Sequence, residues 1–190
     1  MPRVATVYKP SDHPNASEPA VREALDALFG RMFPGVEAPE IDRMHGGFAV
    51  VARDPSLAMH LLRLSDYIVR EMPWSSRRKG LRELAVQALN YHYKCEYSFR
   101  AHLAPAAANG LNAEQLAAIP YWETSPLFDE VQRLVIEFTL ATVGGKVPEA
   151  LFARAVAAFG ETETIEFTTA VAWWAFWAMI LNATQPEIRP

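Results

Sequence analysis

The sequence has one cysteine and no basic block. Cys95 is the only cysteine among 190 residues, so an intrachain disulfide is impossible and a reducing compartment is expected. The 18 Lys and Arg residues are scattered along the chain, and the formal net charge is -4. Nucleic-acid binders and proteins bound to anionic membranes need clustered positive charge. Neither partner is therefore expected.

The N-terminus lacks the apolar segment of a secretory signal, which favours a cytoplasmic location. The most apolar stretch, residues 165–181, is nearly long enough to cross a membrane. However, Glu166 lies inside it, and its tryptophans are central rather than placed at the two ends. We expect no membrane span here. This Trp-rich C-terminal helix, with Trp173, Trp174 and Trp177, is expected in the core or in a subunit interface.

The composition is that of an ordinary globular protein, with 51% hydrophobic and 21% charged residues. No segment alternates apolar and polar residues between hairpin turns, so strands are not predicted. Residues 1–18 are polar and rich in Pro and Ser, and they are interpreted as an irregular N-terminal arm. Residues 19–190 are predicted to form a single all-α domain, a compact bundle of about eight helices.

Capping residues and prolines mark the predicted helix boundaries. Two helices are predicted to end near Gly30 and Glu71, and two others at Asn109-Gly110 and near Thr142. The predicted helix starts are Pro19, Asp54-Pro55, Ser75-Ser76, Cys95, Asn112 with Gln115, Ser125-Pro126, Val147-Pro148 and Glu161.

Four side chains of the segment 95–102 share one helical face. At 100° per residue, Cys95, Ser98, Phe99 and His102 fall at roughly 0°, 300°, 40° and 340°. Three of them are polar or reactive, which indicates a pocket rather than an ordinary buried stripe. Cys95 and His102 are about 10 Å apart along such a helix, so direct contact is not expected. Ser98 and His102, four residues apart, can be neighbours.

Glu83 can join this face only if the chain bends. On one unbroken helix it would lie about 18 Å from Cys95 and on another face. Residues 90–94 are a possible bend, although they contain no Gly or Pro. A bend there would place Cys95 in the first turn of its helix. We expect the backbone N–H groups and the helix dipole to lower the thiol pKa in that position.

The pattern Glu83-x11-Cys95-x2-Ser98-x3-His102 resembles the signature of the carboxymuconolactone decarboxylase and alkylhydroperoxidase D-like superfamily. One branch of that superfamily has Glu-x11-Cys-x2-Cys-x3-His. The similarity is close over residues 80–120 and looser over 40–183. It implies an all-helical fold, a homo-oligomer (trimer or hexamer), and no metal or organic cofactor.

The resemblance also implies the roles of individual residues. Those implied as catalytic are His102, Glu83 and Cys95, and those implied as substrate-binding are Ser98, Phe99 and Tyr97. Ser98 replaces the second cysteine of the peroxidase branch, so that branch's intramolecular disulfide cannot form. The stretch 96–102 is closer to the Glu-Tyr-Glu-Trp-x2-His pattern of the decarboxylase branch.

These features predict a cofactor-independent acid/base lyase or decarboxylase. Its substrate would be a small carboxylated lactone or a related intermediate of aromatic catabolism. His102 would protonate the carbanion that loss of carbon dioxide leaves, and Glu83 would orient the imidazole ring. Ser98 or Cys95 would hydrogen-bond the substrate.

Two other functions stay open. In a one-cysteine thiol peroxidase, Cys95 would be oxidised to a sulfenic acid and rescued by an external thiol. A non-catalytic oligomer would bind a small ligand without turnover.

Each residue also has a structural interpretation. Glu83 beside a basic stretch could form only surface salt bridges, and Cys95 could be an inert buried thiol. A hydrolase triad of Ser98, His102 and Glu83 is disfavoured because a serine inside a helix lacks the exposed turn of a nucleophile elbow. His92 and Cys95 are only two potential metal ligands, so no metal site is predicted.

Overall fold

The computed structural model describes residues 3–42 and 45–187. The described part of the chain is helical and contains no β-strand, which confirms the all-α prediction. It has ten α-helices rather than about eight: α1 Pro19–Met32, α2 Gly46–Val51, α3 Pro55–Asp66, α4 Pro73–Arg77, α5 Lys79–Tyr93, α6 Glu96–Ala101, α7 Leu103–Ala108, α8 Ala113–Ala118, α9 Glu130–Val143 and α10 Glu149–Thr184. A π-helical segment, Tyr67–Glu71, follows α3, and 3-10 turns occupy Pro10–Asp12 and Ile119–Tyr121.

The chain divides into two compact units. One unit consists of residues 1–67 and 180–190, and the other of residues 68–179. Within the first unit, Val7 and Tyr8 of the N-terminal arm are buried, and the Val7 N–H donates to the Ala49 carbonyl at 2.7 Å. The proposed division into an arm and one domain from residue 19 stays a prediction.

Two of the predicted caps are present. The Asp54 carboxylate accepts from the Leu57 N–H at 3.0 Å, which starts α3. Asn112 and Gln115 form both bonds of a capping box at the start of α8.

Two predicted helix starts are wrong. Ser75-Ser76 lies inside the short helix α4, and α5 begins only at Lys79. Ser125-Pro126 precedes α9 by several residues, because Asp129 supplies the cap: its carboxylate accepts from the Gln132 N–H at 2.7 Å. In both places the helix begins at a later residue. A residue of a capping type near the boundary is therefore not enough to predict where the helix starts.

The single helix predicted from Cys95 to Asn109 is two helices, α6 and α7. They meet at His102, whose backbone (φ -92°, ψ 2°) leaves the helical region. Pro105 explains the break, since proline has no N–H to continue the helical hydrogen bonds of the preceding turn. His102 therefore lies at a junction between two short helices.

The second unit is built around α5. An apolar cluster joins α5 to the segments that follow it, and its members are Leu84, Ala88, Ala106, Leu111, Leu116, Ile119, Phe128 and Ile136. A second cluster is aromatic: Trp74 stacks on Phe167 with ring centroids 4.2 Å apart, and Phe138 stacks on Phe167 at 4.8 Å. The first cluster packs α5 against α7, α8 and α9, and the second packs α4, α9 and α10 against one another.

Helix α10 is long and apolar enough to cross a membrane by length and composition, and half of its most apolar window is buried. It is interrupted at Gly160, whose φ of 81° is left-handed, so a helix begins near Glu161 as predicted. The Glu166 carboxylate accepts from the Trp74 N–H at 2.8 Å. The predicted core tryptophans Trp173 and Trp174 are each 7% exposed.

Candidate functional site

The chain bends sharply at Lys94, between α5 and α6. Lys94 adopts a left-handed conformation (φ 51°, ψ 39°). The Cys95 N–H donates to the Asn90 carbonyl at 2.9 Å and the Lys94 N–H donates to the Tyr91 carbonyl at 3.2 Å. These are the two bonds of a Schellman motif, here made by a lysine in place of the usual glycine. The predicted bend within residues 90–94 is thus present, and it lies at Lys94.

The bend brings Glu83 and His102 together. His102 Nδ1 lies 2.8 Å from Glu83 Oε2, although the two residues are 19 positions apart. A carboxylate can only accept a hydrogen bond, so Nδ1 carries the proton and Nε2 is the basic nitrogen of the neutral ring. The His102 side chain keeps 22% of its surface exposed, whereas Glu83 keeps only 2%. The imidazole can therefore meet a substrate while its partner stays buried.

Arg82 balances the buried charge of Glu83. Its Nε and Nη2 donate to Glu83 Oε1 at 3.1 and 2.8 Å. Its Nη1 donates to the carbonyls of Val69 and Ser75 at 3.2 and 3.4 Å. Arg82 is itself 9% exposed, so Glu83 belongs to a buried network and not to a surface salt bridge. Such a network fixes side chains tightly, since any member left alone would be a buried unpaired charge.

Glu83 is ionised at neutral pH. Burial alone would raise the pKa of its carboxyl, but the hydrogen bond and charge of His102, together with the charge of Arg82, outweigh burial and lower that pKa below its usual value of 4.5. The pair therefore consists of a buried, ionised Glu83 carboxylate and a partly exposed His102 imidazole. This arrangement stabilises an imidazolium whenever His102 takes up a proton.

Cys95 caps α6 and is 1% exposed. The expectation of a lowered thiol pKa is wrong: burial raises the pKa above its usual value of 9.0, and the hydrogen bond from the Ser98 backbone N–H offsets only part of that rise. Desolvation penalises the thiolate more than one backbone donor stabilises it. At neutral pH Cys95 is a protonated thiol.

A cavity of about 670 Å³ lies beside Cys95. Phe99 also lines it, whereas Tyr97, Ser98, Glu83 and His102 are not among the lining residues. The implied roles of these residues in catalysis and substrate binding stay predictions. The predicted single reactive face is thus divided. Cys95 and Phe99 line the cavity, and His102, at the other end of α6, does not.

Sequence reasoning missed two buried polar side chains of α5 that form a hydrogen-bonded chain to α6. Gln87 Nε2 donates to the Phe99 carbonyl at 3.2 Å, and Asn90 Nδ2 donates to Gln87 Oε1 at 3.4 Å. Both side chains are buried, at 0% and 2% exposure. Glu83, Gln87 and Asn90 are spaced by four and three residues, and all other residues between 84 and 89 are apolar, so this polar stripe was the available signal.

No group of three or more His, Cys, Asp or Glu side chains within residues 3–42 and 45–187 could hold a metal ion. His92, Cys95 and Glu96 all line the cavity, but these three do not form such a group. Arg77 and Arg78, which could have paired with Glu83, lie 3.9 and 2.8 Å from Glu163 instead.

No family model matches the sequence, and no curated protein matches it significantly. Solved structures do match. The debrominase Bmp8, as a cysteine-to-alanine variant in complex with 2,3,4-tribromopyrrole, superposes with a TM-score of 0.67 at 18% identity, covering 100% of this chain and 93% of that one. Apo Bmp8 gives a TM-score of 0.64 at 16% identity, covering 97% and 92%.

A third match is ATU0492 of Agrobacterium tumefaciens, a protein of unknown function suggested to be an AhpD antioxidant defence protein. Its TM-score is 0.64 at 17% identity, and the match covers 74% of this chain and 96% of that one. At such identities the likeness shows the fold. These structures share the alkylhydroperoxidase D-like architecture, as the motif of residues 83–102 predicted.

Proposed function

We propose that this chain, which has the alkylhydroperoxidase D-like all-α fold, is an acid/base enzyme that uses the Glu83–His102 pair to transfer protons to or from a small oxygenated substrate. The observation that carries the proposal is the 2.8 Å hydrogen bond between His102 Nδ1 and the buried carboxylate of Glu83. A carboxylate held ionised behind an accessible imidazole is a general acid/base arrangement.

The reaction class we propose is decarboxylation of a small carboxylated lactone. Loss of carbon dioxide leaves an electron pair on carbon, which the carbonyl of the substrate delocalises as an enolate. The imidazolium form of His102 then gives its Nε2 proton to that carbon, and water restores the proton. Glu83 is a positioning residue in this scheme, because it fixes the ring orientation and stabilises the imidazolium but does not meet the substrate.

The surroundings of Cys95 favour this function over a one-cysteine thiol peroxidase. A peroxidatic cysteine reacts as the thiolate. Burial raises the pKa of Cys95, which disfavours the thiolate. The solved neighbours include a suggested antioxidant protein and a debrominase, so the same fold is found in proteins with different activities. The reaction of each protein must therefore be inferred from its own site residues.

The test is carbon dioxide release from a panel of small carboxylated lactones, followed in D2O so that the protonated carbon gains one deuterium. We expect His102→Ala to lower kcat by about 10²- to 10⁴-fold on the best substrate, which is the usual contribution of a general acid/base. The exposed helix residue His60 supplies the control, and His60→Ala should leave kcat unchanged.

Two results would contradict the proposal. One is turnover that survives His102→Ala. The other is a chain that releases no carbon dioxide from any lactone but consumes peroxide, with the consumption lost in Cys95→Ser. The second result would identify the thiol peroxidase instead.

A further inference from the structure

The cavity beside Cys95 is a second place where the molecule can hold a ligand. Its volume of about 670 Å³ lies within the usual range of small-molecule sites, about 300–1,000 Å³. Most of the wall is apolar or aromatic, with Phe99, Ile119, Trp122 and Leu140 among its residues. Neither Glu83 nor His102 lines it, so a ligand in the cavity would not contact the pair proposed for proton transfer.

One buried polar atom in this wall has no partner. The Phe99 carbonyl can only accept, so the amide nitrogen of Gln87 must face it. Gln87 therefore presents its oxygen to Asn90, and Asn90 must present its nitrogen to Gln87. The remaining atom, Asn90 Oδ1, has no hydrogen-bond partner in the described part of the chain, although Asn90 is 2% exposed and lines the cavity.

The orientation of Asn90 is thus dictated by a chain of donors and acceptors that starts at the Phe99 carbonyl. An unpaired buried acceptor is costly and rare in folded proteins. A ligand that donates a hydrogen bond would remove this cost on binding. A ligand of the same shape without a donor would leave the cost in place.

The charges at the cavity restrict the ligand further. Lys94 and Glu96 are exposed and opposite in sign, and Glu96 is already paired with Arg100 at 2.5 Å. Cys95, the polar group beside Asn90 in the wall, carries a neutral thiol. No buried charge therefore faces the cavity within the described residues, and an ionic ligand would be desolvated without compensation.

We infer that this cavity binds an uncharged aromatic compound through an O–H or N–H donor to Asn90 Oδ1, with the ring packed against Phe99 and Trp122. Phenols and pyrrole-type heterocycles are the chemical class that meets these requirements. The ring supplies apolar contact with the aromatic wall, and the single donor supplies orientation.

The experiment compares two probes of nearly equal shape on the wild-type chain by isothermal titration calorimetry. 1-Naphthol carries the O–H donor, and 1-methoxynaphthalene lacks it. We expect 1-naphthol to bind at least about tenfold more tightly, because only the donor satisfies Asn90. In Asn90→Leu, which keeps the side-chain size but removes the acceptor, the two affinities should become equal.

The location is checked on the wild-type chain, so the inference stays testable even if Asn90→Leu does not fold. Cys95 is the only cysteine and lines the cavity, so its alkylation by N-ethylmaleimide, measured by mass spectrometry, reports on the wall. Saturating 1-naphthol should slow alkylation several-fold. Equal affinity of the wild-type chain for both probes, or binding without protection of Cys95, would overturn the inference.

Discussion

Replacing Glu83 by glutamine tests whether the buried network is essential to the fold as well as to the site. The substitution keeps the size of the side chain and removes its charge. Glu83 accepts three hydrogen bonds, two from Arg82 and one from His102, and only 2% of its side chain is exposed. Glutamine can accept with one oxygen only, so its NH2 group would face either the Arg82 guanidinium or His102 Nδ1.

The expected loss of stability is large because the guanidinium stays buried. Arg82 is 9% exposed, and its remaining partners are the carbonyls of Val69 and Ser75, which carry no charge. Removing one partner of a buried ion pair costs about 3–5 kcal/mol. With a slope of about 2 kcal/mol per molar urea, the denaturation midpoint should fall by about 2 M.

The control is Glu137→Gln. Glu137 pairs with Arg154 at 2.7 Å, but the two side chains are 35% and 54% exposed. A pair so exposed contributes less than about 1 kcal/mol. Its urea midpoint should therefore fall by about 0.5 M or less. Equal midpoint changes for the two variants would refute the account of a buried, interdependent network.

The pH dependence supplies an independent check on the same variant. The pKa of Glu83 is lowered in the folded chain, so its contribution to stability is complete above its usual pKa of 4.5 and is lost as the pH falls through the lowered value. The stability difference between wild type and Glu83→Gln should shrink as the pH falls below 4.5, where the Glu83 carboxylate becomes protonated. A difference that does not shrink there would show that the carboxyl is not held ionised in the folded chain.

One chemical modification and three substitutions test other features of the chain. At pH 7.5 iodoacetamide should modify Cys95 at least about tenfold more slowly in the folded chain than in urea, because burial raises its pKa and covers it; equal rates would contradict the buried thiol. A Cβ at Gly80 would lie 2.8 Å from the Asn109 carbonyl oxygen, so Gly80→Ala should cost about 1–3 kcal/mol, whereas Gly30→Ala in open space on α1 should stabilise by about 0.5–1 kcal/mol. Lys94→Gly should raise the free energy of unfolding by about 1 kcal/mol, since glycine adopts the left-handed conformation without strain; destabilisation would show that the Lys94 side chain matters more than its backbone.

The fold class was predictable from the sequence because helical periodicity and caps depend on local residues. The pairing of Glu83 with His102 was implied by the resemblance of the motif, whereas spacing alone left it dependent on a bend in the chain. The position of the bend was not predictable, because Lys94 adopts a left-handed conformation that usually requires glycine. The hydrogen bonds to the Asn90 and Tyr91 carbonyls that stabilise the bend involve only backbone atoms, so the side-chain sequence does not indicate them.

The division of the site and the state of the thiol depend on packing and were not predictable. The helix breaks at His102, so Cys95 and His102 face different surroundings although one helix would align them. The raised pKa of Cys95 comes from burial by residues distant in sequence, which outweighs the local effect of a helix start. In the sequence, Asn90 is only one residue of a possible bend. Its oxygen without a hydrogen-bond partner is identified only by the hydrogen bonds that run through Gln87.

The central claim is that buried Glu83 holds His102 with the proton on Nδ1, so that Nε2 is the basic atom. NMR of the chain carrying ¹⁵N-labelled histidine measures this directly, with His102→Gln to assign the signal. At a pH where the ring is neutral, we predict the Nδ1–H tautomer in the wild-type chain and a shift toward the Nε2–H tautomer in Glu83→Ala. A wild-type His102 in the Nε2–H tautomer, or a tautomer unaffected by Glu83→Ala, would contradict the account.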